Sequence, residues 1–453
     1  MRQYWLPFEI TSLIISYVDV STDSSLAPYA TVSREWQACI EQRTFARLNL
    51  NNPQRLEEFC QIVACNKQRQ KCVREIHLLI HLEPYDIKAR AYFETAAEHS
   101  RNNEIFVQTI QNVLQILATW LEDHRGIELF IQAQSPSDVI RGDRQRLKAA
   151  RYTPQEDLLQ RRFERSYLEL SEEGLKSIQP VMAVTTLIIH GGVGYERLIR
   201  PSATAIIASR MPRLRNMALN LKDNEKRDRE LRKRNRDGKI LSPYISTGLT
   251  PVITEFASAI HLLPPSVQRF DLKFYSEAPR NEALQPIDLV EGKLEDLFSA
   301  QLRDFSQQLT IFSLNHAVTG KELFWPVNDD GNTQLPYWPN LTIFRVSFRG
   351  TSPSGQWYFE RDPNEDVGEE SDEAERPLLP DLLPGYLQPP PEDRRLQSLR
   401  SKPSVKPIQE FYISAGRAAQ RMPRLQYMNL ACHFGLINHE FDYQVKEKVA
   451  TAT

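Results

Sequence analysis

Two histidines in a strand-like segment are the residues whose types and spacing come nearest to a chemical site. His77 and His81 lie four positions apart within residues 73–82, so both side chains would project from one face of a strand. Metal binding or acid–base catalysis would need further ligands or a cluster of carboxylates nearby, and the sequence shows no such cluster. We therefore expect surface histidines or histidines with ordinary hydrogen-bond partners.

A glycine run, Gly191-Gly-Val-Gly194, directly follows an apolar segment that predicts a strand. Such a run can hold a phosphate at the N-terminus of a following helix. This one has neither the GxGxxG spacing nor the Gly-Lys-Ser/Thr ending of a phosphate loop, so a plain turn is favoured. A hydrolase or nucleotide-binding protein that uses this turn stays an open alternative.

The five cysteines predict free thiols in a reducing compartment. Cys39, Cys60, Cys65 and Cys72 lie in one region and Cys432 far from them, and Cys60, Cys65 and Cys72 do not have the short pair spacing of structural zinc sites. The sequence also contains no HExxH, GxSxG or Walker motif. We expect no catalytic residue, no metal and no cofactor, which favours a binding protein over an enzyme.

Composition narrows the possible partners. The chain has 453 residues, with 56 Lys and Arg against 58 Asp and Glu, giving a net charge of −2. The net charge therefore gives no overall electrostatic attraction to nucleic acid or to an anionic membrane. Neither a secretory signal nor an apolar run long enough to span a bilayer is present, so we expect a cytoplasmic or nuclear protein, or one found in both.

Helix patterns alternate with short apolar strand patterns along most of the chain. Asn52 and Pro53 suit the start of one helix, and apolar residues between 106 and 121 form a stripe on another. The first strands are predicted at residues 73–82, 127–131, 166–170 and 184–190. Further strands are predicted at 263–272, 308–314 and 339–346.

An internal repeat gives these units a common pattern. Arg210-Met-Pro-Arg-Leu-Arg-Asn-Met-Ala-Leu219 matches Arg421-Met-Pro-Arg-Leu-Gln-Tyr-Met-Asn-Leu430, and each copy follows a helix of small residues. Proline ends the helix and a strand follows. The pattern resembles the strand portions of irregular leucine-rich repeats, which implies an α/β solenoid. A compact α/β domain whose units only look alike is the alternative.

Three polar segments interrupt the pattern. Residues 135–165 are rich in arginine, and residues 222–239 contain the basic run Lys226–Arg236, a nuclear-import signal or, more simply, a solvated insertion. Residues 359–408 begin acidic, with Ser371 as a possible phosphorylation site, and become rich in proline. Such a composition cannot bury enough apolar surface to order itself, so a disordered insertion is predicted.

The first fifty residues predict three short helices. Pro7 suits a first helical residue, and Ile10, Leu13, Ile14, Tyr17 and Val18 then follow at helical spacing. Leu26, Tyr29 and Val32 form a second apolar turn, and Trp36, Cys39 and Ile40 begin a third helix. Because so short a segment buries only a thin core, its surplus apolar residues need a partner or the following domain.

This segment resembles an F-box, with a Leu-Pro start, an apolar helix, a Val-(Cys/Ser)-(Lys/Arg)-x-Trp core and a closing aromatic residue. The residues that carry the resemblance are Leu6-Pro7, Glu9-Ile10, Ile14, Tyr17-Val18, Leu26, Val32-Ser33, Trp36, Phe45 and Leu48. Residues 19–25 form a longer polar insert than many F-boxes have.

The resemblance implies association with the small adaptor subunit of a cullin–RING ubiquitin ligase. The residues expected to contact the adaptor are Leu6, Pro7, Ile10, Ile14, Tyr17, Val18 and Leu26. Val32 and Trp36 are expected in the core of the helical unit instead.

Together these observations predict an α/β protein with a three-helix F-box at residues 1–50 and irregular leucine-rich-repeat-like units at 51–358. The disordered insertion spans 359–408, and 409–453 holds the last repeat and a C-terminal cap. The resemblance is to F-box-like proteins of filamentous fungi. It implies a substrate-recognition subunit of an SCF-type ubiquitin ligase, with the adaptor, the cullin complex and an unknown target protein as partners. A scaffold in which the F-box-like segment only caps the solenoid is the alternative.

Overall fold

The computed structural model describes the greater part of the chain. The described residues are 7–17, 26–86, 89, 93–120, 124–138, 162–163, 166–192, 196–223, 252–276, 282, 285–286, 288–290, 292–327, 335–361, 400–434, 437–446 and 449–452.

Over the described residues the protein is mixed α/β, built on one large, mostly parallel sheet of eleven strands. The strands are β1 (Arg47–Leu50), β2 (Glu75–His81), β3 (Ile127–Gln134), β4 (Val184–Gly191), β5 (Asn216–Lys222), β6 (Arg269–Tyr275), β7 (Ile311–Ala317), β8 (Ile343–Phe348), β11 (Tyr427–Phe434), β12 (Ile437–Lys446) and β13 (Val449–Ala452). Two further strands, β9 (Phe359–Glu360) and β10 (Lys402–Pro403), pair only with each other.

Sheet neighbours follow the order of the chain. Strands β1 to β8 and then β11 pair in parallel, and β11, β12 and β13 continue the sheet as antiparallel neighbours. Parallel neighbours need a crossover connection, and helical segments lie between most of these strands.

The helices are short except for one. They are α1 (Phe8–Tyr17), α2 (Arg34–Thr44), α3 (Pro53–Glu58), α4 (Lys67–Cys72), α5 (Ala96–Ala118), α6 (Glu172–Leu175), α7 (Pro201–Ala208), α8 (Val252–Ala259), α9 (Leu297–Ser306) and α10 (Val405–Ala419). Single turns of 3₁₀-helix occur at Ala27–Thr31, Ile260–Leu262 and Lys321–Leu323, and Phe59–Ala64 is a π-helical turn. None of the described helices is long and apolar enough to cross a bilayer.

One continuous core lies between the sheet and its helices, from Leu50 to Cys432. It forms because alternate strand residues are apolar and buried, as in β3, where every second side chain from Ile127 is buried. Aromatic side chains join the two layers. The ring centroid of Phe274 on β6 lies 6.3 Å from that of Phe256 on α8 and 5.7 Å from that of Phe298 on α9.

The sequence repeat is also a structural repeat. Met211 and Met422 are buried, and each donates its backbone N–H to a carbonyl at the end of the preceding helix. Met211 donates to the carbonyl of Ala208 at 2.9 Å, and Met422 donates to the carbonyl of Ala419 at 3.1 Å. In both copies the methionine carbonyl accepts from the leucine three residues later. The prediction that a Met-Pro stop leads from helix to strand is confirmed at both places.

Three predicted segments can be compared with the structure. Residues 166–170 do not form a strand of the sheet, since Leu168 makes only an isolated bridge with Ile199. The predicted unit 1–50 includes β1, which pairs with β2 as the first strand of the sheet.

The predicted insertion 359–408 is ordered at both ends. Residues 359–360 and 402–403 form β9 and β10, and α10 begins at Val405. Residues 362–399 lie outside the described residues, as do 139–161 and 224–251, which hold most of the other two predicted insertions. After α10 and β11, the C-terminal part continues as the antiparallel strands β12 and β13.

Candidate partner-binding surfaces

The N-terminal helices pack around a very small core. Ile15 of α1 and Cys39 and Ile40 of α2 are its buried apolar residues, with Leu26, Ala30 and Trp36 half-buried against them. Two polar contacts fix the helices: Ser33 caps α2 by accepting from the N–H of Trp36, and Arg43 donates to the carbonyl of Ile15 at 3.0 Å.

Most of the predicted adaptor-contacting residues that the structure describes lie on one exposed stripe. We call Ile10, Leu13, Ile14 and Tyr17 the exposed stripe of α1; Tyr17 is 80% exposed and Leu13 is 52% exposed. Pro7 is also exposed, but it precedes the helix, with its carbonyl accepting from the N–H groups of Ile10 and Thr11. Leu6 and Val18 lie outside the described residues.

One expectation about this segment differs from the structure. Leu26, which stays a predicted adaptor contact, is half-buried against the small core. Val32, expected in the core, caps the C-terminal end of a 3₁₀ turn and is 61% exposed, whereas Trp36 packs against the core as predicted. Val32 thus adds to the apolar surface that this unit leaves in solvent.

A polar clamp joins the N-terminal helices to the sheet. Arg69 of α4 donates to Glu41 of α2 at 2.8 Å and lies over the ring of Phe45 at 5.2 Å. Phe45 and Leu48 pack against the main core. The hydrogen bond from Arg69 is the chief cause that holds the pKa of Glu41 below its usual range.

The second surface is the side of the sheet opposite the helices. We call it the open face; its side chains alternate with the core residues along each strand and are half-buried or exposed. Its side chains include His77, Phe130, His190, Asn220, Arg269, Asp271, Lys273, Tyr275, Asn315, Arg345 and Tyr427.

His77 and His81 lie on this face, as their spacing predicted. The ring of His77 stacks on Phe130 at 5.3 Å and is 3.4 Å from a carboxylate oxygen of Glu75, and Phe130 in turn meets His190 edge-on at 4.7 Å. Among the described residues no set of three or more His, Cys, Asp and Glu side chains is placed to hold a metal ion. The imidazoles therefore belong to an aromatic row across β2, β3 and β4.

A bulge at the end of β7 adds a further ring to the open face. The register shifts between Asn315 and Ala317, and His316 is the extra residue, with a left-handed φ of 63°. Its ring stacks on Tyr275 at 4.7 Å. A non-glycine residue in this conformation is strained, and such strain concentrates where a surface is used for binding.

The glycine turn after β4 is filled by protein. A Cβ on Gly192, whose φ is 101°, would lie 2.3 Å from Leu198, and one on Gly191 would lie 2.9 Å from Ile199. Both glycines are thus required by the close return of the chain before α7. This packing favours the plain turn over a phosphate-binding loop.

A buried charge cluster at the carboxyl ends of β2, β3 and β4 was missed by sequence reasoning. The guanidinium of Arg197 donates to Glu94 and to Asp138, both at 3.1 Å, and all three side chains are almost fully buried. Asp138 also accepts from the hydroxyl of Tyr85 and the N–H of Ser135, both at 2.7 Å.

This cluster holds three loops together rather than leaving a group free for proton transfer. Its carboxylates already accept from fixed donors, including the side-chain amide of Asn102 at 2.6 Å from Glu94. Arg197 and Glu94 are 103 positions apart in sequence, so only the sheet order brings them together. No local signal in a single sequence could have identified the cluster.

Compared with known proteins, the chain matches no family model and no curated protein sequence. The exposed stripe of α1 and the open face are therefore interpreted from their own geometry.

Proposed function

We propose that this protein is a substrate-recognition subunit of an SCF-type cullin–RING ubiquitin ligase. In this proposal the N-terminal helices act as an F-box that binds the adaptor. The sheet and its helices act as a leucine-rich-repeat-like solenoid that holds the target protein. The ligase then works by proximity, because binding keeps a target lysine close to a charged ubiquitin-conjugating enzyme.

The observation that carries the proposal is the exposed stripe of α1. Four large apolar side chains lie in solvent on a helix whose own core is minimal. A contiguous apolar patch of this kind marks an interaction surface. The F-box resemblance gives the adaptor as the partner for this stripe, and the chain-order sheet is consistent with a solenoid behind it.

The test is co-purification of the full chain with the adaptor and cullin subunits. Changing Ile10, Ile14 and Tyr17 to Ser removes three side chains that are each worth about 1.5–3 kcal/mol when buried, so the adaptor affinity should fall more than about 100-fold. A matched control changes Ile62, Val405 and Ile413 to Ser, which are also exposed apolar residues but lie elsewhere. The proposal is contradicted if the variant changed at Ile10, Ile14 and Tyr17 still binds the adaptor, or if the parent protein does not bind it.

A scaffold in which the N-terminal helices only cap the sheet is the second candidate. The clamp between Glu41 and Arg69, and the packing of Phe45 and Leu48 on the main core, favour it. A cap predicts that loss of the small helical core lowers the stability of the sheet itself. An adaptor-binding unit predicts that the sheet is little affected.

A further inference from the structure

We infer that the centre of the open face binds an acidic, extended segment of a protein partner through Arg269, Lys273 and Arg345. The inference rests on the proposed function, since it names the chemistry of the target that the sheet would hold. The three side chains are exposed on the open face of β6 and β8.

These three cations have no carboxylate partner within the described structure. None of them takes part in an ion pair, and Arg345 only lies over the ring of Tyr427 at 5.2 Å. Other arginines of the protein do form ion pairs with nearby carboxylates. Arg47 pairs with Glu75, and Arg200 pairs with Glu169 and Glu255. Asp271, between Arg269 and Lys273 on β6, leaves the group with a net charge of +2.

Register sets the spacing of the cations. Arg269 and Lys273 are four positions apart on one strand, roughly 13 Å at about 3.3 Å per residue. Asp271 is level with Ser313 and Ser313 with Arg345, so Arg345 lies two strands away, roughly 12 Å from either of the other cations. Carboxylates about four residues apart on an extended peptide have a matching separation.

The surroundings favour a short acidic segment over a nucleic acid. On one side Glu128 lies on the open face of β3, and on the other Asp442 and Glu440 of β12 accept from the amide of Asn429 at 2.9 and 2.7 Å. These acidic groups lie on either side of the basic centre, so they would repel the phosphates of a nucleic acid that extends beyond the three cations. A short peptide segment with a few carboxylates would contact the cations alone.

Neutral groups between the cations can bind the peptide backbone. Asn315 and Ser347 are level with Lys273 across β7 and β8. The side-chain oxygen of Asn220 on β5, next to Lys273, has no hydrogen-bond donor among the described residues. Such groups would give specificity to a contact whose attraction is electrostatic.

Fluorescence anisotropy tests the inference with the full chain. The probe is a fluorescein-labelled peptide of about a dozen residues with glutamate at every fourth position. The variant carries Arg269→Gln, Lys273→Gln and Arg345→Gln, and we expect its affinity for the probe to be about tenfold weaker. The matched control carries Lys67→Gln, Lys406→Gln and Arg417→Gln, exposed residues away from the open face with the same charge change, and should bind the probe within about twofold of the parent protein.

Other outcomes overturn the inference. They are no probe binding by the parent protein, equal binding of a peptide with glutamine in place of glutamate, unchanged binding by the open-face variant, or tighter binding of polyuridylate than of the probe. Adaptor co-purification is measured on the same samples. Probe binding without adaptor binding would refute the proposed function and leave this inference intact, and adaptor binding without probe binding would do the reverse.

Discussion

The N-terminal helices and the main sheet differ in how completely each buries its own apolar side chains. The described part of the helical unit has three buried apolar residues and leaves the exposed stripe of α1 in solvent. The sheet has one core that extends from its first strand to β11, and its open face is largely polar or charged. The comparison teaches that the first region leaves large apolar side chains in solvent, whereas the second buries its apolar residues in one core and leaves polar groups on its open face.

The largest expected effect is in the sheet, at the buried charge cluster. Arg197→Ala would leave Glu94 and Asp138 buried without their cation, which costs about 3–5 kcal/mol. We expect a much lower urea midpoint in circular dichroism, because the cluster connects the loops that follow β2, β3 and β4.

Two controls make this result specific. Arg215→Ala removes an exposed arginine just before β5 and should leave the midpoint nearly unchanged. Adding Glu94→Gln and Asp138→Asn to Arg197→Ala removes the unpaired charges and should restore part of the loss. If Arg197→Ala unfolds at the same urea concentration as the parent protein, the cluster does not stabilise the sheet.

The second effect separates the two regions. Ile15→Ala removes a large part of the small core and should cost about 2–4 kcal/mol within the helical unit. Hydrogen-exchange mass spectrometry should then show faster exchange in α1 and α2, with β2 to β8 unchanged.

Leu13→Ala is the matched control, since Leu13 lies on the same helix but is 52% exposed. Leu13→Ala should leave the hydrogen-exchange rates of the helical unit and of the sheet the same as in the parent protein. Faster exchange across the sheet in the Ile15 variant would instead favour the scaffold in which the helices act as a cap.

The repeat at Arg210 and Arg421 could be predicted because its signal is local. A buried methionine, a proline that ends the helix and an alternating strand follow one another within ten residues. The stripe on α1 was predictable for the same reason, since helical spacing alone places Ile10, Ile14 and Tyr17 together.

What could not be predicted depends on the tertiary fold. The strand pattern of residues 166–170 is as good as others in the chain, but the sheet pairs β3 directly with β4 and leaves Leu168 outside it. Val32, expected in the core, is exposed at the end of a 3₁₀ turn, and the helical spacing of the sequence does not show this. The basic centre of the open face requires the register of β6, β7 and β8, which a single sequence does not give.

The smallest expected effect is a pH dependence of opposite sign in the two regions. In the sheet region, burial raises the pKa of Asp296, which caps α9 by accepting from the N–H of Ser299. Stability from this group is present below its unfolded pKa and is lost as pH rises through the folded value. Asp296→Asn keeps a capping oxygen without the buried charge, so the variant should be more stable than the parent protein at neutral pH. The advantage should shrink on acidification toward pH ~4.

At the helical unit the sign reverses, because the hydrogen bond from Arg69 lowers the pKa of Glu41. Stability from this clamp is present above the unfolded pKa of Glu41 and is lost as pH falls through the folded value. Hydrogen exchange at a series of pH values, corrected for the intrinsic exchange rate, should therefore show α2 losing protection on acidification while α9 does not. Glu41→Gln removes this titration and should weaken the pH dependence at α2 while leaving that at α9 unchanged. The same loss of protection in both helices would show that a common charge effect, and not these two carboxyl groups, controls the response to acid.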